Sequence, residues 1–326
     1  MKPESSPKKH ALTSSSVSLV PPKFVLRGGT AIISAYGSFF SQTLNNNTNQ
    51  AYANGVKLFC EFMTYLELED ILDIEPKHIT EFVSHMSDNE YGVATTRLYL
   101  SAVRMFLDNC VVDGLISVNP AKAVKLPRHS SRTGKTPVII PEQVRQILDS
   151  IPFVTQADYR DRALIGLMVF SFFRVSAALS LSLSDYVLRG EQRWIIGEEK
   201  GSKRHEMPVH FTLEALLDEY IEFVGMTELT TPLFQSSNAR GGKLTGRPFD
   251  RTAAWRMVRR RAATAGVNRE IGNHSFRATG ITTYLNAGGS LEDARIMANH
   301  SNATTTKLYD RTGDIAKIQE VNRIDI

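Results

Sequence analysis

Arg174, Lys200, His274, Arg277, His300 and Tyr309 lie in the second half of a 326-residue chain and together carry what a phosphodiester reaction needs. A guanidinium presents a planar fork of donors that can grip two phosphate oxygens at once, which an ammonium does less well. Imidazoles change charge near neutral pH and can relay protons. A tyrosine beside them can act as a covalent nucleophile once a base helps remove its proton. No Asp/Glu cluster of the kind that holds a catalytic magnesium accompanies the set. The combination points to phosphoryl transfer through a protein–DNA covalent link and not to metal-assisted hydrolysis, so neither a metal nor a cofactor is expected.

Taken singly, each residue has a plainer explanation. Arg174, in Phe172-Phe173-Arg174-Val175, could be an arginine snorkelling off an apolar helix face. Yet a charge in so apolar a segment needs a partner, and a phosphate is one candidate. His274 alone would be a capping histidine and Tyr309 an ordinary packing tyrosine. His300 alone would answer a helix C-terminus. The pairings carry the argument: His274 and Arg277 stand three apart at a helix start and share a face. The stretch from Asn299-His300 to Tyr309 then sets a second imidazole at a fixed interval from a phenol.

The elements that must position these groups are legible from periodicity. Residues 1–22 are rich in Ser, Pro and Lys, and 24–44 read as one short helix, so 1–44 is expected to be a flexible N-terminal arm. Tyr52, Val56, Phe59 and Met63 form one helical stripe, and Tyr99, Val103, Phe106 and Cys110 another. Glu75-Pro76 opens a helix between them. A helical domain over 45–121 follows, then a linker over 122–137 and a catalytic domain over 138–311. Pro141 reopens helical text, and 160–183 reads as an amphipathic pair of helices carrying Arg174. Trp194–Ile196 and Glu206–Val209 read as strands of a hairpin whose cationic tip holds Lys200. Helices are expected over Arg251–Ala265, stopped by Gly266, and over Ser275–Ala287. Ser290-Leu-Glu-Asp293 is a cap for the next. In 312–326, Ile315, Ile318, Val321 and Ile324 suggest a terminal helix that docks on a neighbouring protomer or folds back on its own domain.

An apolar share of 42% and a charged share of 22% describe a globular protein with enough apolar residues for two cores. No apolar run reaches membrane-helix length, and no apolar signal core follows the N-terminal lysines, so a cytoplasmic location is expected. Cys60 and Cys110 sit in apolar helical patterns, as buried free thiols do. The net charge is only +4, but it is segregated. Residues 114–141 hold no acid, yet carry Lys122, Lys125, Arg128, Arg132 and Lys135. Residues 240–277 hold ten Lys and Arg, among them Arg256, Arg259, Arg260 and Arg261, against Asp250 and Glu270. Residues 211–228 are acidic. Such a chain suits one DNA-facing side, and those nine cations are the expected DNA contacts.

The order Arg, Lys, His-x-x-Arg, His, Tyr and its intervals resemble the tyrosine recombinase (phage integrase) family. The likeness runs from about Thr48 to Arg311 and includes Asn119-Pro120-Ala121 ahead of the basic linker and Leu183-Ser-Asp185 after the first arginine. It implies a mainly α fold, in which a helical, SAM-like core-binding domain precedes a mixed α/β catalytic domain of the DNA breaking-rejoining type with a small antiparallel sheet. It further implies that Tyr309 attacks a scissile phosphate, giving a 3′-phosphotyrosyl link and a 5′-hydroxyl. Arg174 and Arg277 would stabilise the phosphorane, and Lys200, with Lys203 as runner-up, would protonate the departing oxygen. His274 would assist proton transfer at Tyr309, and His300 would hydrogen-bond the phosphate. The implied partners are double-stranded DNA with specific sites and a tetramer of the chain itself. A type IB topoisomerase-like relaxing enzyme and a catalytically weakened DNA-binding accessory protein are the alternatives. Three departures stand out. The family's acid three positions after the first arginine is Ala177, its Gly-Leu before that arginine is Phe172-Phe173, and its glycine before the second histidine is Asn299.

Overall fold

A computed structural model describes residues 20–41, 46–126, 136–199, 201–238, 242–267 and 270–310. The chain is mainly helical with a small antiparallel sheet and divides into two compact units, residues 1–130 and 131–326.

The first unit is helical. It comprises α1 (Lys23–Arg27), α2 (Gly29–Ser41), α3 (Asn46–Tyr65), α4 (Pro76–Asp88) and α5 (Val93–Val112). The two expected stripes meet as α3 against α5, burying Val56, Phe59, Met63, Val103, Phe106 and Cys110. One expectation is corrected: 23–41 is not part of a flexible arm. Ile32, Tyr36, Phe39 and Phe40 fall on one helical face, and all are buried. Tyr36 and Phe39 set ring edges on Phe106 at 6.0 and 5.8 Å, and Asn109 Nδ2 donates to the Ala35 carbonyl at 3.1 Å. The glycines and serines scattered through this segment hide its apolar face in the sequence. Asn119 accepts a hydrogen bond from Ala121 N, turning the chain out of the unit as the Asn119-Pro120 text suggests.

The second unit is built on α7 (Gln156–Phe170), whose residues from Ala157 to Met168 are almost all buried. That corrects the expected amphipathic pair: α7 is enclosed on every side. It ends at Ser171, and a sharp turn separates it from α8 (Val175–Ser180). Helices α6 (Pro141–Asp149), α9 (Phe211–Val224), α10 (Arg251–Thr264) and α11 (Asn273–Asn286) complete the core with α7. Strands β1 (Tyr186–Arg189), β2 (Gln192–Glu199) and β3 (Lys203–Pro208) form one antiparallel sheet in sequence order. The short pair β4 (Gln235–Ser237) and β5 (Leu244–Pro248) forms a second. Ser290 caps α12 (Leu291–Met297), and α13 (Ala303–Lys307) leads to Tyr309. A third small cluster, Phe172, Ile281, Leu285, Ala294 and Ala298, seats this last segment, with Tyr309 packed against it. The terminal stripe over 312–326 lies outside the described residues.

Candidate active site

Close packing of α11 on α7 creates the site. Gly280 faces the end of α7 so tightly that a Cβ there would stand 2.1 Å from the Val169 carbonyl oxygen and 2.7 Å from the Phe172 ring. The contact brings Arg277, one turn before Gly280, beneath the turn that follows α7. In that turn Phe172 adopts φ +55°, a left-handed backbone rare for a bulky side chain. Arg174 then starts α8 as its N-terminal flanking residue.

Arg277 is 2% exposed, and both of its Nη groups are engaged. Nη1 donates to the Phe172 carbonyl and lies 3.4 Å from Glu199 Oε1. Nη2 donates to the Ala298 carbonyl at 2.6 Å and to His300 Nε2 at 2.9 Å. Arg174 is 30% exposed; its amide donates to Glu199 Oε1 at 3.2 Å and its Nη1 to Glu199 Oε2. Burial lowers both guanidiniums. Arg277 falls to about 10, with the charge of Arg174 adding to burial and the neighbouring Tyr309 hydroxyl acting in the opposite direction. Two cations held this close favour an anion between or beside them.

The hydrogen bonds fix the state of His300. A guanidinium only donates, so Nε2 of His300 is the acceptor and its proton resides on Nδ1. Nδ1 donates to Thr306 Oγ1 at 2.9 Å. Burial first, and then the charges of Arg277, Arg174 and Arg295, push the imidazole down to about 3. His300 is therefore neutral at physiological pH. The expected direct hydrogen bond from His300 to a phosphate is not what this arrangement provides; its free lone pair is spent orienting Arg277.

His274, in the first turn of α11, is also lowered, by burial and then by Arg277, Arg251 and Arg174. Unlike His300 it lies at the exposed edge of the site, so it is a neutral imidazole open to a proton. The Tyr309 ring lies parallel to that of His300, with centroids 5.8 Å apart and planes at 10°. Thr282 Oγ1 on α11 donates to the Tyr309 carbonyl at 3.1 Å, which ties the phenol to the helix bearing His274 and Arg277.

The structure thus gathers Arg174, His274, Arg277, His300 and Tyr309. Lys200 lies outside the described residues, between Glu199 and Gly201 at the end of the β2–β3 hairpin. That hairpin is fastened to the His300 turn: Lys203 Nζ donates to Ser301 Oγ at 2.5 Å, and the His205 ring meets the Met297 carbonyl at 2.8 Å. Lys203, the runner-up for proton donor, is thus already engaged with the loop.

Glu199, His205 and Thr306 escaped the sequence reading. A signal existed for the first two. Side chains alternate along a strand, so Glu199 shares the inward face of β2 with Ile195 and Gly197, and His205 shares that of β3 with Met207. His205 stacks on Phe173 at 4.3 Å. Its Nδ1 faces Glu199 Oε1 at 3.5 Å, and burial lowers the ring to about 4, so it too is neutral.

The expected DNA-contacting cations divide. Arg256 is exposed, Arg259 lies over the Trp255 ring at 4.8 Å, and Arg260 is 60% exposed. Arg261 is corrected to an internal strut. It is 13% exposed and donates to Asp158 at 2.5 Å and to Asp161 at 2.9 Å, locking α10 onto α7. Lys122 is exposed and paired with Asp108 at 2.8 Å, and Lys125 is exposed. Arg128, Arg132 and Lys135 lie outside the described residues.

Residues 137–314 match the phage integrase family, and residues 39–111 match the phage integrase N-terminal SAM-like domain. The chain is similar to the tyrosine recombinase XerD of Staphylococcus saprophyticus subsp. saprophyticus, 25% identical over 281 residues that cover 85% of this chain and 92% of the relative. It is similarly related to XerD of Corynebacterium glutamicum, 26% identical, covering 82% and 88%. Among solved structures, XerH bound to its difH substrate superposes with a TM-score of 0.64 at 18% identity, covering 90% of this chain and 87% of that one. A lambda integrase tetramer bound to a Holliday junction superposes with a TM-score of 0.63 at 17% identity, covering 89% and 81%.

Proposed function

The chain belongs to the phage integrase family and is a tyrosine-type site-specific recombinase; we propose that it cuts and rejoins DNA through a 3′-phosphotyrosyl intermediate. In this reading Tyr309 Oη attacks the scissile phosphorus, the bond to the 5′-oxygen breaks, and Lys200 supplies the proton that the departing oxygen takes up. His274, neutral and at the rim, accepts the phenolic proton. Arg174 and Arg277 stabilise the charge that builds on the non-bridging oxygens, and one such preorganised donor is worth roughly 3 kcal/mol. His300 holds Arg277 in place. The tyrosyl ester keeps the bond energy, so the 5′-hydroxyl of another strand reverses the step with no external energy source.

The observation that carries the proposal is the convergence of Arg174, His274, Arg277, His300 and Tyr309 from four separate segments of the second unit. Exchange of two duplexes requires four strand breaks, and each protomer carries one Tyr309, so four protomers assemble on two sites. The basic linker and the exposed cations of α10 hold the DNA backbone, and the reaction serves integration, excision or resolution of mobile DNA.

The test is to incubate the protein with DNA flanking its own gene, trap covalent adducts, and map the cleaved phosphates. Defined sites carrying a 3′-linked protein are the expected outcome, and Tyr309→Phe should bind those sites yet form no adduct. An adduct with the Phe variant would remove Tyr309 as nucleophile. Relaxation of supercoiled plasmid with no preferred site would favour the topoisomerase-like alternative.

A further inference from the structure

Glu199 sits between the two arginines expected to grip the phosphate, and no other carboxylate among the described residues is placed within 4 Å of either guanidinium. It is 1% exposed at the last position of β2. Its Oε1 accepts from the Arg174 amide at 3.2 Å and lies 3.4 Å from Arg277 Nη1, while Oε2 accepts from Arg174 Nη1. One carboxylate therefore bridges the α7–α8 turn to α11 and holds the residue that precedes Lys200.

A buried carboxylate is tolerated only when paired and hydrogen-bonded, and here the pairing is with the reacting groups themselves. Without it, Arg277 would keep the Phe172 and Ala298 carbonyls and His300, but no carboxylate among the described residues would pair with either guanidinium or tie Arg174 to Arg277. The position that should supply such an acid by family pattern, three residues after Arg174, is Ala177, buried on the first turn of α8. Position 177 lies on the first turn of the helix that Arg174 caps, whereas Glu199 reaches the same guanidinium from β2.

We propose that Glu199 is the positioning residue of this active site: it has taken over, from strand β2, the support that an acid at position 177 would give, and it fixes the two arginines relative to each other. Glu199 touches no DNA in this scheme and acts through Arg174 and Arg277. The assignment rests on the reaction proposed above.

The experiment uses the full chain and a nicked duplex bearing the cleavage site mapped as described. Single-turnover adduct formation is measured for Glu199→Gln, Glu199→Ala and the double variant Glu199→Ala/Ala177→Glu. Loss of a supporting contact of this kind typically costs about 10- to 100-fold. That loss is expected for Glu199→Ala, with site affinity preserved, and a smaller one for Glu199→Gln, which keeps the shape and loses the charge. Moving the carboxylate to position 177 should recover part of the rate. On a duplex whose scissile phosphate is a neutral methylphosphonate, which asks less of the arginines, the Glu199→Gln defect should shrink. Wild-type rates in Glu199→Gln and Glu199→Ala would overturn the assignment. So would a defect of equal size on both substrates with no recovery in the double variant, which marks a purely structural role. Failure of the parent reaction scheme looks different: the unsubstituted chain would then form no adduct at all.

Discussion

His300 Nε2 accepts a hydrogen bond from Arg277 Nη2 at 2.9 Å. The chemistry of the donor leaves no second option for the tautomer, and Thr306 Oγ1 receives the remaining ring proton at 2.9 Å. The histidine that the family resemblance nominates as a phosphate donor thus has both ring nitrogens engaged, one by Arg277 and one by Thr306.

This relationship predicts an asymmetric response at position 306. Thr306→Ser keeps the acceptor and should cut DNA at close to the native rate. Thr306→Val leaves the buried Nδ1–H unpaired, a loss of about 1–3 kcal/mol, and should slow adduct formation while leaving half-site binding unchanged. Equal single-turnover rates for the two variants would show that the tautomer is set elsewhere.

Acid should loosen the second unit. His300 and His205 are lowered to about 3 and about 4, against about 6.5 in the unfolded chain. Between those limits the unfolded state binds protons that the folded state refuses, so stability rises with pH across the window and is lost as pH falls from about 6.5 toward 3. The melting temperature should drop steadily below pH 6, and the slope should lessen in a His205→Phe variant. A flat profile from pH 7 to 4 would contradict the assigned neutral rings.

The cations of α10 should separate by assay. Arg256→Ala with Arg259→Ala should reduce the log–log salt slope of DNA binding by about 2, near one per phosphate contact, with little effect on stability. Arg261→Ala should leave the slope alone and destabilise the fold by roughly 2–4 kcal/mol, because Asp158 loses its ion-pair partner and Asp161 is left with Arg160 and Arg260. Denaturant unfolding beside a salt titration distinguishes the two classes.

Asn299 carries φ +47°, so the backbone there favours the glycine it replaces. Asn299→Gly should be neutral or stabilising, whereas Asn299→Val should cost on the order of 1–3 kcal/mol and misplace His300. Unfolding midpoints and single-turnover rates are the check. A stable, active Asn299→Val would show that the turn relaxes.

The sequence by itself determined the family, the fold class and most of the order of elements. Within the candidate site, helix phase makes the pairing of His274 with Arg277 legible, because residues three apart on α11 share a face. The stripes on α3 and α5 are legible for the same reason. A helix near the N-terminus was legible, but its packing was not, since Gly and Ser dilute the face carried by Ile32, Tyr36, Phe39 and Phe40, and only burial against Phe106 reveals it. What tertiary structure alone decided is who partners whom. Glu199 meets Arg174 and Arg277 from 25 and 78 residues away, and Arg261 meets Asp161 across 100. No local periodicity reports such pairings, because a buried ion pair is chosen by what the fold brings within 4 Å and not by what lies next in the chain.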